Sequence, residues 1–82
     1  MTLIEFQLLH TPDQISILYK QGVYIGKRKR AHLTILLYQL ESFYIEVVYQ
    51  KYRRYIAKVK CSDSTDILDP YLEQIDVEHL VG

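Results

Sequence analysis

An α+β fold is what this sequence predicts: a four-stranded antiparallel meander, with the N-terminal segment as a candidate fifth strand and two helices packed on it. Three observations lead there. Leu33–Gln50 alternates as two strands rich in β-branched and aromatic residues about a tight Glu41-Ser42 turn. Thr11-Pro12-Asp13-Gln14 and Asp69-Pro70 carry helix-start chemistry. Between Gly22 and Cys61 the apolar period is two rather than 3.6.

The elements follow in order. Thr2–Leu9 places Ile4, Phe6 and Leu8 in alternation, and so short a run fits a strand or a helical turn. A helix over about 12–21 follows, with Thr11 as N-cap, Pro12 at the first helical position and Gln14 completing a capping box. Its buried stripe is Ile15, Leu18 and Tyr19, and Gly22 is expected to end it with a positive φ. Val23–Lys27 reads as the first strand, and Gly26–Arg30 as a basic corner. In the central hairpin Leu40 pairs with Phe43, Tyr38 with Ile45 and Leu36 with Val47, which makes one face wholly apolar. A second basic corner, Gln50–Arg54, precedes the last strand. There Tyr49 is expected opposite Tyr55, Val47 opposite Ala57 and Ile45 opposite Val59, through a longer turn or a bulge. Lys58 and Lys60 suit an exposed outer strand. Ser62–Asp66 is a loop, and a second helix is expected over about 69–75 with Asp69 as its cap.

At 82 residues the chain is expected to form a single small domain, with a thin stability margin unless something else covers it. Cys61 is the only cysteine, which points to a reducing compartment and excludes a thiolate cluster within one chain. The sequence shows neither a basic-then-apolar leader nor a long apolar run, so the expected location is cytoplasmic, with no membrane partner. The zero net charge conceals a segregation. Residues 1–60 hold all ten Lys and Arg against Glu5, Asp13, Glu41 and Glu46, a net of +6. Residues 61–82 hold six acids and no base, a net of −6. Mutual neutralisation in the fold is the plain account, and an anionic partner is the functional one.

Alternate turns of a meander share one end of the sheet, so the two basic corners should come together. Lys27, Arg28, Lys29, Arg30, Lys51, Tyr52, Arg53 and Arg54 are therefore the candidate polyanion-binding residues. Guanidinium forks suit phosphate oxygens, and exposed tyrosines stack on bases. The second strand is apolar on its other side as well, so a second face formed by Leu33, Ile35, Leu37, Tyr44 and Val48 needs a cover. Helices on opposite faces would supply it, or self-association would, and these five residues are the candidate interface. Tyr24, Tyr44, Tyr52 and Tyr71 are candidates for an exposed aromatic surface, while Tyr38, Tyr49 and Tyr55 are assigned to the packed face. No metal or other cofactor is expected: His10, His32 and His79 lack ligand spacing, and the Asp63–Asp69 acids lack the glycine of a calcium loop. Cys61 reads as a small core residue rather than a nucleophile.

No catalytic residue is assigned, since no nucleophile–base or carboxylate-pair spacing stands out. Tyr52, Arg53, Arg54, Tyr55, Lys58 and Lys60 on a helix-then-meander plan resemble the small ribonuclease toxins of toxin–antitoxin pairs. The resemblance implies RNA cleavage by these residues. It covers architecture alone: those toxins are strongly basic and carry a longer helical hairpin, whereas this chain is neutral with a single helix there. The reading adopted from the sequence is a non-enzymatic protein–protein interaction module, in hetero-complexes or as a homodimer. RNA or polyanion binding through the basic corners is the alternative.

Overall fold

A computed structural model describes residues 1–50 and 55–72. The elements are α1 (Leu3–Gln7), α2 (Thr11–Gln21), β1 (Val23–Arg30), β2 (Leu33–Leu40), β3 (Phe43–Tyr49), β4 (Ile56–Ser62) and a closing 3-10 helix (Thr65–Tyr71). The four strands form one antiparallel sheet in the order β1-β2-β3-β4.

The candidate fifth strand is a helix instead, and local hydrogen bonds explain why. Thr2 Oγ1 accepts the Glu5 N–H at 3.1 Å while the Glu5 carboxylate accepts the Thr2 N–H at 2.8 Å, a reciprocal cap that commits the segment to α1. The Thr2 N–H bonded to it, with the Thr2 hydroxyl beside it, holds the Glu5 carboxyl below its usual range. Phe6 is driven fully inside.

The cap of α2 also differs from expectation. His10 is the N-cap and makes no side-chain cap bond, so Thr11 and Pro12 lie within the first turn. Gln14 does not close a capping box: it is buried, and its Nε2 donates to the Phe6 carbonyl at 2.9 Å, tying α1 to α2. Leu18 enters the core while Tyr19 points into solvent at 70% exposure, so the buried stripe is centred on Gln14 and Leu18. Gly22 has an ordinary extended conformation (φ −74°, ψ 150°), not a positive φ. Glycine is needed there for space: a Cβ would stand 2.7 Å from the Leu18 carbonyl oxygen.

The central hairpin has the expected register, Leu40 opposite Phe43, Tyr38 opposite Ile45 and Leu36 opposite Val47. Its two-residue turn places Glu41 at φ 53°. The first basic corner is corrected: Lys27–Arg30 continues β1 in pairing with β2, and the turn is Ala31-His32, with Ala31 at φ 55°. The β3–β4 register is corrected by two residues. Val47 faces Val59, Ile45 faces Cys61 and Tyr49 faces Ile56, with a bulge that leaves Ala57 unmatched. Ile56 consequently takes the place on the packed face assigned to Tyr55, whose ring is 62% exposed.

The C-terminal helix is corrected in type and start. A 3-10 helix begins at Thr65 under a Ser64 cap that accepts the Asp66 N–H at 3.2 Å, and Pro70 lies inside it rather than at its first position. Residues 73–75 of the expected helix lie outside the described residues.

Alternation puts two apolar layers on the sheet. Leu36, Leu40, Phe43, Ile45, Val47 and Tyr49 form the main core with Phe6 and Leu18, and Phe6 meets Phe43 at a ring distance of 5.9 Å. The opposite face carries Ile35 and Leu37, both buried, beside Glu46 and Tyr71.

Candidate functional site

The second face is polar at its centre. Glu46 falls between Ile45 and Val47 on a strand buried on both sides, so period-two alternation turns its carboxylate toward Leu37, its partner on β2. The residue is 5% exposed. A lone carboxylate there would carry a large desolvation cost. Two donors offset it: the Tyr71 hydroxyl at 2.6 Å and Arg28 Nη2 at 3.2 Å, both on Glu46 Oε2. Arg28 closes the triangle, its Nε donating to the Tyr71 oxygen at 3.4 Å and its guanidinium lying 5.7 Å from the Tyr71 ring centre. Among the described residues no buried side-chain polar atom lacks a partner.

Position follows from register and from the closing helix. Arg28 pairs with Ile35 on β1, two positions along β2 from Leu37, so Arg28 and Glu46 share the face. Tyr71 is the one fully buried side chain of the 3-10 helix, with Ile67 and Leu68 half-buried beside it. Burial pushes the Tyr71 hydroxyl up to about 12, helped by its bond to the Glu46 carboxylate and opposed by Arg28. Desolvation would lower Arg28, but its bonds to Tyr71 and Glu46 outweigh that and raise it. Next to the triad a cavity of about 330 Å³ is lined by Arg28, Glu46, Lys60, Ser62, Asp66 and Ile67.

The structure sorts the predicted residues into three groups. Ile35 and Leu37 are buried within the chain, with Leu33, Tyr44 and Val48 half-buried around them. Lys27, Lys29 and Arg30 are exposed, while Arg28 is spent on the triad. Lys51, Tyr52, Arg53 and Arg54 lie outside the described residues. Of the aromatic candidates, Tyr24 is exposed and meets Tyr38 edge-on at 5.7 Å, but Tyr71 is fully buried. Sequence reasoning missed Glu46 and placed Tyr71 on an exposed surface, where the structure buries it. The signal for Glu46 was present, a single charge in the apolar run Phe43–Tyr49.

Chemistry elsewhere is sparse. Among the described residues no group of three His, Cys, Asp or Glu side chains is placed to hold a metal ion. His10 and His32 are exposed, and His79 lies outside the described residues. Cys61 is half-buried on the core face, and burial pushes its thiol up. No helix among the described residues is long and apolar enough to cross a membrane. Comparison with protein-family models, with curated proteins and with solved structures returned no match.

Proposed function

We propose that the protein is a non-enzymatic interaction module that self-associates by exchanging the Thr65–Tyr71 segment between copies. The observation that carries this reading is the triad: a carboxylate set into an apolar sheet face, filled by a tyrosine and an arginine from distant parts of the chain. A face that needed only cover would be served by apolar residues, since a buried ion pair is weak support for stability and better suited to fixing one geometry. Glu46 therefore acts as the polar half of a receptor, and Tyr71 as the anchor of the segment that fills it.

The anchor reaches its receptor by a short route. Only Asp63 and Ser64 separate β4 from the 3-10 helix, and the segment packs as a unit with one fully buried residue. The same segment from a second copy makes the same contacts, so exchange yields a dimer without a newly evolved surface. Leu33, Ile35, Leu37, Tyr44 and Val48 then lie at the dimer contact, under the partner's segment.

Complementation tests it. Tyr71→Ala leaves the receptor without its anchor, and Glu46→Leu leaves the anchor without its receptor. Light scattering is expected to show each variant as a monomer and an equimolar mixture as a heterodimer, with the wild type dimerising as concentration rises. Circular dichroism checks that both variants keep the sheet, and Tyr71→Phe serves as the milder anchor variant. A wild type that stays monomeric at high concentration, together with a mixture that shows no heterodimer, would remove the proposal.

A further inference from the structure

A different feature of the sheet, the exposed positive charge at one end of it, is not used by segment exchange. We propose that the sheet end bearing the Ala31-His32 turn binds single-stranded nucleic acid, with Arg30 and Lys58 on phosphates and Tyr55 stacked on a base.

Register brings these residues to one end. Arg30 pairs with Leu33 next to the turn, and Lys29 with Thr34. Thr34 faces Tyr49 at the last position of β3, and Gln50 then donates its N–H to the Tyr55 carbonyl at 3.2 Å. Tyr55 is thereby fixed by its backbone at this end of the sheet while its ring stands in solvent. Arg28, Ile35, Val48 and Lys58 make one row across all four strands. Lys58 therefore flanks the second face on one outer strand as Arg30 does on the other, three strand spacings across and two residues along, about 16 Å apart.

The charges here are available. Among the described residues Lys29, Arg30 and Lys58 are exposed and take part in no ion pair. Glu46, on the same face two positions along β3 from Val48, is already bonded to Arg28 and Tyr71. Asp63, Asp66 and Asp69 are exposed, and none of them pairs with a base among the described residues. Asp63 and Glu41 line a groove at the opposite end of the sheet. Among the described residues no acid pairs with the exposed bases at the Ala31-His32 end, and that end draws an anion from solution.

The exposed ring favours nucleic acid over an acidic peptide. Cations alone fit either ligand, but an exposed aromatic ring among them adds a stacking platform that only a base uses fully. Stacking requires a splayed base, which a single strand offers and a duplex withholds.

The test is fluorescence anisotropy of a labelled oligouridylate with the full chain. Binding is expected at low salt, weakening with a log–log slope of about −1.4 for two phosphates at roughly −0.7 each. Arg30→Glu or Lys58→Glu should weaken it at least about tenfold and flatten that slope. Tyr55→Ala should weaken it about fivefold or more at unchanged slope, with Tyr55→Phe close to wild type. Lack of any anisotropy change at low salt would overturn the proposal. So would equal competition by polyglutamate or by duplex RNA, or indifference to Tyr55→Ala.

Discussion

At the scale of single residues, Tyr71 and Glu46 are where this molecule departs from a plain apolar sheet. Tyr71→Phe keeps the ring and removes the donor, leaving Glu46 one bond short in a buried site. Urea unfolding should show a loss of about 1–3 kcal/mol. The raised hydroxyl also fixes a pH dependence. The folded state holds the proton up to about 12, while an unfolded tyrosine loses it near 10. The unfolded chain therefore binds fewer protons in that window, and the contribution present below pH 10 is lost between pH 10 and 12. The slope is at most about 1.4 kcal/mol per pH unit. The difference in urea midpoint between wild type and Tyr71→Phe, followed through that window, isolates it. Little of this was legible in the letters. Glu46 was visible as an anomaly in its strand, but its partners sit 18 and 25 residues away and converge only through register and the closing turn. Tyr71, classed among exposed candidates, has a hydroxyl whose buried acceptor no local pattern announces.

At the scale of elements, the hairpins show what local sequence does and does not determine. The β2–β3 register was readable because a two-residue loop and an apolar face leave one alignment. The β3–β4 register was not, because the bulge at Ala57 inserts a residue and moves Ile56 into the place assigned to Tyr55. Both tight turns carry a non-glycine residue with positive φ, Ala31 at 55° and Glu41 at 53°. For an L-residue with a Cβ, that conformation costs about 1 kcal/mol. Ala31→Gly is therefore expected to raise the thermal midpoint, by an amount equivalent to about 0.5–1 kcal/mol. Gly22→Ala should act the opposite way despite ordinary dihedrals, because the added methyl meets the Leu18 carbonyl at 2.7 Å. A loss of about 1–3 kcal/mol in urea unfolding is expected, in the range for overpacking. The capping box predicted on α2 formed on α1 instead, between Thr2 and Glu5, and Gln14 was diverted to the Phe6 carbonyl. Both helices offered an acceptor three residues before a suitable partner, and tertiary contact chose between them.

At the scale of the whole molecule, one sheet is buried on both sides, and the two layers should be energetically equivalent. Leu37→Ala on the second face is expected to cost about 2–5 kcal/mol in urea unfolding, as is Ile45→Ala in the main core. Both residues are 0% exposed. A second layer that contributed nothing would leave the Leu37 variant near wild type. The fold class and strand order were legible because alternation, turns and helix starts agreed over most of the chain. The need for cover on the second face was legible too, from Leu33, Ile35 and Leu37 pointing opposite to Leu36, Tyr38 and Leu40. What supplies that cover was not, since a 3-10 helix containing Pro70 has no periodic signature.

The meander has a further consequence, in time rather than in space. Each strand pairs with its neighbour in sequence, so three of its interfaces close over short loops and can zip in succession. The Arg28 to Tyr71 contact spans 43 residues and has no value until β1, β2 and β3 are aligned. Docking of the closing segment should therefore be the last event of folding. Mutations at Tyr71 should speed unfolding while leaving the refolding rate almost untouched, a φ-value near zero beside intermediate values in the β2–β3 hairpin.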